Sequence, residues 1–335
     1  MLGLVPRSPI DPLIVLFLGL ALDAFVGDMR LLFGYVPHPV AAVGHLIGFL
    51  EDRLNRSNRS DAARATRGAL VVAFVVVVAA LAGWLALWMT RHVPAGWLIE
   101  LFLVTVLIAQ RSLYDHVAAV ARGLRDGGLR AGRAAVAHIV GRDPESLDEP
   151  GVARAALESL FENFADGVVA PAFWYIVAGL PGMFVCKAIN TLDSMIGHRS
   201  PRYLAFGGTA ARLDTAMNFL PARLSGMMIG VAAAFVPTAA PAPAFRVMFR
   251  DAHKHRSINA GWPEGAAAGA LNLALAGPRR YGSELVNDPW IGEGRRAAGA
   301  ADIRRGLFLY VMACFVHALL IGCLIVIGDA VQVYL

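Results

Sequence analysis

Lysine is almost absent from this 335-residue chain: Lys187 and Lys254 are the only two among 30 basic residues, and all the others are arginine. Cysteine is scarce as well. Cys186, Cys314 and Cys323 each sit in an apolar run, and an odd number without CxxC spacing excludes a disulfide framework and a zinc site. Buried apolar thiols are the expectation. Charge is the third shortage, at 16% of residues against about 25% in soluble domains. Several motifs are missing too. There is no GxxxxGK[ST], no GxSxG and no HExxH, and Gly292-Glu293-Gly294 lacks the preceding strand of a dinucleotide fingerprint. The net charge of +5 comes with no zinc finger, helix-turn-helix or basic tail, so nucleic acid is not an expected partner. The apolar run from Leu13 meets Asp23 and Asp28 without an A-x-A site, so no cleavable signal is expected.

What is present is apolar length. Hydrophobic residues make up 57% of the chain, mean hydropathy is +0.57, and a bilayer is crossed by about 20 such residues. Residues 68–90 and 306–328 meet that length without a charge. Segments 13–33, 97–110, 168–186 and 224–245 are shorter, interrupted by acids, or broken by Gly179-Leu180-Pro181-Gly182 and by Pro237, Pro241 and Pro243. The expected fold is an all-α, polytopic integral membrane helical bundle with re-entrant or broken helices and cytoplasmic helical loops. All of residues 1–335 are read as a single membrane-embedded catalytic domain in the cytoplasmic (inner) membrane. The arginines between Arg53 and Arg67 place that loop in the cytoplasm. For 168–186 and 224–245 the re-entrant reading is preferred, because basic segments on both sides of 224–245 otherwise conflict with the charge rule. Residues 111–166 read as helical, with an acidic turn around Pro144 and Pro150, and 246–305 as a structured loop region with short helices.

Polar residues cluster beside the apolar runs. Arg154, Glu158 and Glu162 recur at i, i+4, i+8, with Asn163 and Asp166 on the neighbouring face. Lys187, Asn190 and Asp193 recur at i, i+3, i+6, followed by Ser194 and His198; Asp214 and Asn218 lie four apart between Arg212 and Arg223. Acids at a membrane boundary are costly unless paired, hydrated or bound to a cation, and Mg²⁺ prefers oxygen ligands with retained water and bridging phosphates. The plain alternative is a ladder of solvated ion pairs. Three such clusters in succession favour a polar site for an anionic, metal-bound phosphate substrate, for which arginine supplies forks and lysine a point charge. His38 and His45 bracket Pro39 and Gly44 and suit a structural or substrate contact better than a metal site. The run His253-Lys254-His255-Arg256 suits either an anion-facing loop or a lipid-headgroup anchor.

Four stretches carry a resemblance: GDMRLLFGYVPHPVAAVGHLIGFLEDRLN (27–55), VGRDPESLDEPGVARAALESLFENFADGVVAPAFWY (140–175), KAINTLDSMIGHRSPRYLAFGGTAARLDTAMNFLPARL (187–224) and HRSINAGWPEGAAAGALNLALAGPRRYGSELVNDPWIGEG (255–294). Together they resemble the adenosylcobinamide-phosphate synthase family of cobalamin biosynthesis, across nearly the whole chain. The family commonly reads GDP where Gly27-Asp28-Met29 stands here, and it varies around His198; neither departure removes a residue assigned to chemistry. The resemblance implies an ATP-dependent ligase. It would join the free propionate of adenosylcobyric acid to aminopropanol phosphate, or to aminopropanol itself, in concert with other late cobalamin-pathway enzymes or as a homo-oligomer.

On that reading Glu158, Glu162, Asp166 and Asp193 are candidate Mg²⁺ ligands or bases, and Lys187 neutralises phosphate. Asn163 and Asn190 orient the acids. Arg212, Arg223 and Arg256 bind phosphate, and Asn259, Trp262 and Glu264 close over the corrin. His38, Asp214 and Asn218 complete the substrate contacts, with the site facing the cytoplasm. Two other readings are a transporter of an anionic or corrinoid substrate, lined by the broken segments, and a non-catalytic membrane regulator. The latter is what a distant group linked to β-lactamase regulation resembles, sharing the hydrophobic outline without these motifs.

Overall fold

The computed structural model describes residues 10–27, 39–140, 143–281 and 284–334. The protein is all-α, with helices long and apolar enough to cross a membrane at Asp61–His92, Trp97–Val136, Glu149–Ile196 and Ala300–Val331. A fifth is counted if the broken pair Gly208–Met217 and Phe219–Phe235 is taken as one. Chain contacts divide into two compact units, Met1–Ile108 with Ala170–Asn218, and Ala109–Val169 with Phe219–Leu335.

The first unit holds α1 (Pro12–Val26), α2 (Pro39–Leu54), α3 (Asp61–His92), α4 (Trp97–Leu107), α7 (Ala170–Ile196) and α8 (Gly208–Met217). Ser60 caps α3, its hydroxyl accepting from the Ala63 amide, and Arg91 and His92 close its last turn where the helix dipole favours cations. The face of α3 made by Val71, Val72, Val75 and Ala79 packs with Ile47, Ala188, Leu192, Ile196 and Phe206 into the core. Gly83 lets α3 approach the start of the second arm of α7: a Cβ there would lie 2.6 Å from the Pro181 Cα. The opposite side of α3 exposes Leu70, Phe74, Leu81 and Trp88, as a lipid-facing helix does. At the far end Arg91 donates to the buried Glu100 at 3.3 Å, and the Tyr175 hydroxyl donates to the same carboxylate at 2.7 Å. That ties α3, α4 and α7 together.

The second unit holds α5 (Gln110–Val136), α6 (Glu149–Phe164), α9 (Phe219–Ala232), α10 (Pro241–Asp251), α11 (Gly261–Leu271) and α12 (Ala300–Tyr334). Asp148 caps α6 by accepting from the Gly151 amide at 2.7 Å, and Pro150 sits in its first turn. Almost every residue of α6 from Gly151 to Phe161 is buried, so it is the central rod of this unit. Gly226 on α9 approaches the Trp262 carbonyl, and Gly265 on α11 approaches Met248 on α10. Small residues let these backbones touch. After the left-handed cap at Asn272 the chain makes two short antiparallel pairs: β1 (Leu275–Ala276) with β4 (Trp290–Ile291), and β2 (Arg279–Tyr281) with β3 (Glu284–Val286). These ribbons are absent from the sequence reading, being too short to show a period.

The two charge-free expectations fall inside α3 and α12. Segment 13–33 is narrower: α1 has 15 residues, about 22 Å of helix, and the rest of that range lies largely outside the described residues. Segment 224–245 stops at Phe235 and resumes at Pro241. Segment 168–186 is broken, as Gly179-Leu180-Pro181-Gly182 implied. Gly179 adopts φ 65°, ψ −154°, and a Cβ on Gly182 would collide with the Trp174 carbonyl. In a straight helix those residues would be separated by about 12 Å along the axis. Gly128 bends α5 in the same way, with φ 65°, ψ −161°. Of the cysteines, Cys186 is buried, whereas Cys323 is exposed on α12, which corrects the expectation that all three are buried.

Only glycine occupies this backbone region without strain. Gly179→Ala and Gly128→Ala are each expected to cost about 1–3 kcal/mol, read as a lower Tm of the detergent-purified protein. Gly322→Ala on α12, where an added Cβ meets nothing within 4 Å, is expected to leave Tm unchanged.

Candidate functional site

In the second unit, α6 runs directly into a π-helical turn, Ala165–Val169, a distortion that often marks functional positions. Glu162 and Asp166, both half-buried, lie on either side of its start. Two neighbouring residues of the expected site make contacts of their own. Glu158 is 4% exposed and its Oε1 accepts from the Ala276 amide at 2.8 Å, so one oxygen of this expected metal ligand fastens β1 to α6. Asn163 turns its amide back to the Ser159 carbonyl at 2.9 Å. Arg154 donates to the Arg296 carbonyl at 2.7 Å and stands over the Trp290 ring at 5.3 Å.

Arg223, expected to bind phosphate, is brought together with Asn259 and Trp262, expected to close over the corrin. The Arg223 guanidinium lies 3.4 Å from the Phe219 ring centroid and 4.7 Å from that of Trp262, and it donates to Asn259 Oδ1 at 3.5 Å. A flat cation held between two aromatic faces is favourable and keeps its remaining N–H groups aimed. Glu264 is buried, 3.6 Å from His255 Nε2. Arg256 pairs with Asp288 at 3.8 Å.

A cleft of about 280 Å³ opens where the end of α10 meets the turn after β4, lined by Arg250, Asp251, Lys254, Trp290, Glu293 and Arg296. Asp251 is its fixed point. It is 1% exposed; Arg250 forks onto it with two 2.7 Å bonds, Lys254 reaches it at 2.6 Å, and the Gly292 amide donates at 2.9 Å. Gly292, at φ 84°, makes the turn that aims this amide. Burial opposes ionisation of Asp251, but the Arg250 fork, Lys254 and the Gly292 amide outweigh it and hold the carboxyl well below its usual range. Arg154 and Arg296 both stand over Trp290, at 5.3 and 4.8 Å. Sequence reasoning missed Arg250, Asp251, Trp290 and Arg296. The usable signals were the rarity of Lys254 and the glycines of Gly292-Glu293-Gly294, which form a tight turn rather than a nucleotide fingerprint.

In the first unit, Lys187, Asn190 and Asp193 are half-buried on one face of α7, opposite the core face of Ala188, Leu192 and Ile196. Asn218 is buried and donates to Asp214 Oδ1 at 3.0 Å, while Arg212 is exposed. His38 lies outside the described residues. Among the described residues no group of three or more His, Cys, Asp or Glu side chains converges to hold a metal ion. Glu162 and Asp166, one turn apart, retain the donor chemistry of Mg²⁺ held by one or two carboxylates and substrate phosphates.

The depressed acidity of Asp251 has a definite sign in stability. A carboxylate whose folded pKa lies below its unfolded value stabilises the fold above the ordinary carboxylate range, and that contribution is lost as pH falls through the folded pKa. Asp251→Asn is expected to cost ~2–3 kcal/mol at pH 7, less than orphaning fully buried partners because Arg250 and Lys254 remain part-exposed. The Tm gap from wild type should close as pH drops below about 4.

The family model described as CobD/Cbib protein matches residues 16–310. The chain is similar to the cobalamin biosynthesis protein CobD of a Sinorhizobium species, 52% identical over 309 residues that cover 91% of this chain and 96% of the relative. The protein of the same name from Brucella anthropi is 51% identical over 301 residues, covering 89% and 92%, and that from Rhodobacter capsulatus is 47% identical over 316 residues, covering 93% and 97%. No solved structure matches. The chain belongs to the CobD/Cbib family of cobalamin-biosynthesis proteins.

Proposed function

We infer that this membrane protein is an ATP-dependent acid–amine ligase. It attaches aminopropanol phosphate, or aminopropanol, to the free propionate of adenosylcobyric acid. The observation that carries this reading is the family match over residues 16–310, together with the resemblance of the four motif stretches to adenosylcobinamide-phosphate synthases.

A carboxylate does not form an amide unaided, because its oxygen is a poor leaving group. In the proposed first step the propionate oxygen attacks the γ-phosphorus of ATP, an acyl phosphate forms and ADP departs. The amine then attacks the acyl carbon, its proton passes to a base, and inorganic phosphate leaves. Positioning and charge neutralisation dominate phosphoryl transfer, and these are what the residues offer. Mg²⁺, when bound, would neutralise phosphate oxygens beside Glu162 and Asp166. The cations Arg250, Lys254 and Arg296 give their cleft a phosphate-holding character. Arg223, locked between Phe219 and Trp262, presents aimed N–H donors to an anionic group, and the Trp262 face suits an apolar edge of a corrin. Lys187 supplies a point charge for a transferring phosphate, with Asn190 and Asp193 on its face, and Asp193 is a second candidate for the base.

The decisive assay is mass-spectrometric detection of product from detergent-purified protein given adenosylcobyric acid, ATP, Mg²⁺ and each amine in turn. Sustained ADP formation should need both corrinoid and amine, while corrinoid without amine should give no more than a single burst of ADP per enzyme. Glu162→Gln, Asp166→Asn and Lys187→Ala are each expected to lower turnover by about 100-fold or more while membrane insertion is retained. Full activity in all three variants would remove this assignment of the chemistry.

A further inference from the structure

The loop between α2 and α3 carries a second basic site, unrelated to the ligase chemistry. Arg53, Arg56, Arg59 and Arg67, with Ser57 and Asn58, line a cleft of about 540 Å³. Among the described residues no carboxylate lies within ion-pair distance of any of these four guanidiniums, and their recorded contacts carry no negative charge. Arg53 lies 4.4 Å from the Phe49 ring centroid and Arg56 donates to the Arg53 carbonyl at 3.1 Å. The neighbouring Arg64 behaves differently, pairing with Asp61 at 3.6 Å and donating to Asn55 at 3.0 Å. Acids are within reach in sequence, yet these four cations converge without one. Cations gathered on one cleft repel each other unless an anion joins them.

The second observation is where the cleft sits. Arg67 heads a helical stripe of exposed apolar side chains on α3, running through Leu70, Phe74, Val77, Leu81, Leu85 and Trp88. From Arg67 to Trp88 that face spans about 31 Å at 1.5 Å per residue, the thickness of a hydrocarbon core. A molecule with its anionic head among the arginines and its tail along this stripe would satisfy both features. A free phosphate would satisfy only the first.

We propose that this cleft is a specific site for the headgroup of an anionic phospholipid, whose acyl chain lies along the Leu70–Leu81 half of that face of α3, about 16 Å or one leaflet. Guanidinium forks take the phosphodiester oxygens in pairs, and Ser57 and Asn58 supply hydrogen bonds to a glycerol or second headgroup. Basic pockets beside membrane helices hold such headgroups elsewhere.

Native mass spectrometry of the full chain, released from nanodiscs of mixed phosphatidylglycerol and phosphatidylcholine, tests this directly. The wild type should retain phosphatidylglycerol in preference to phosphatidylcholine. The triple variant Arg56→Gln, Arg59→Gln, Arg67→Gln should bind it about 100-fold more weakly, since each arginine near an anionic surface contributes roughly a factor of five. Should the triple variant fail to fold, Arg59→Glu alone, at an exposed position, should reduce retention at least tenfold. Leu81→Asn on the stripe should weaken lipid retention without changing binding of inorganic pyrophosphate. Equal retention of both lipids by the wild type, or undiminished retention in the arginine variants, would overturn the proposal. So would pyrophosphate binding that depends on these arginines with no lipid preference, which would assign the cleft to a soluble phosphate.

Discussion

A buried carboxylate cannot wait for water in a protein that gives so much of its surface to lipid, and the architecture is arranged around that constraint. Glu100, Glu158, Asp251 and Asp302 are each 4% exposed or less, and each is met by donors from another element or turn. Glu100 receives Arg91 and Tyr175. Glu158 receives the β1 backbone, and Asp251 receives Arg250, Lys254 and the Gly292 amide. Asp302 takes the Gly299 amide at 3.0 Å together with Arg295 and Arg305. Such pairs need not outdo a well-packed apolar replacement in stability. Their directional contribution is to restrict which partner each helix accepts, which dispersion among leucines and valines does loosely.

The second constraint is distance between backbones. In α11 the sequence Gly-Trp-Pro-Glu-Gly-Ala-Ala-Ala-Gly-Ala-Leu buries nearly every residue, and Gly265 and Gly269 face Met248 and Pro243 on α10. With no large side chain between them, the two helices gain packing by proximity rather than by interlocking bulk. Closeness of this kind also carries Trp262, near the start of α11, to Arg223 on α9, so small-residue packing and the aromatic clamp are one arrangement.

How much of this could be read beforehand follows from the range of each interaction. The spans at 68–90 and 306–328 were legible because a bilayer imposes a length that local composition records. The bend at Gly179 was legible because glycine and proline act on their own backbone. The meeting of Arg223, Asn259 and Trp262 was not legible, since 36 residues separate Arg223 from its Asn259 partner. The Asp251 network was not legible, because it joins α10 to a turn 41 residues later. Helical spacing could not show the long-range contact of Arg154, whose guanidinium donates to a carbonyl 142 residues away. Periodicity sets which side chains share a face; it is silent on what that face meets.

The scarcity of lysine then acquires a structural reason. Arginine after arginine stands over an aromatic ring: Arg53 over Phe49, Arg154 and Arg296 over Trp290, Arg202 over Tyr203, and Arg223 over Phe219 and Trp262. A guanidinium can stack with one face and still donate in-plane, as Arg202 does in forking onto Glu51 at 2.9 and 2.8 Å. That fork outweighs the burial that would otherwise raise the Glu51 pKa, so the carboxyl is held below its usual range. An ammonium is a strongly hydrated point charge and cannot do both at once. In a protein with little water along its flanks, cations that serve structure are better made of arginine. Lysine is kept for places where a single compact charge suffices: Lys254 closing the last side of Asp251, and Lys187 on the polar face of α7.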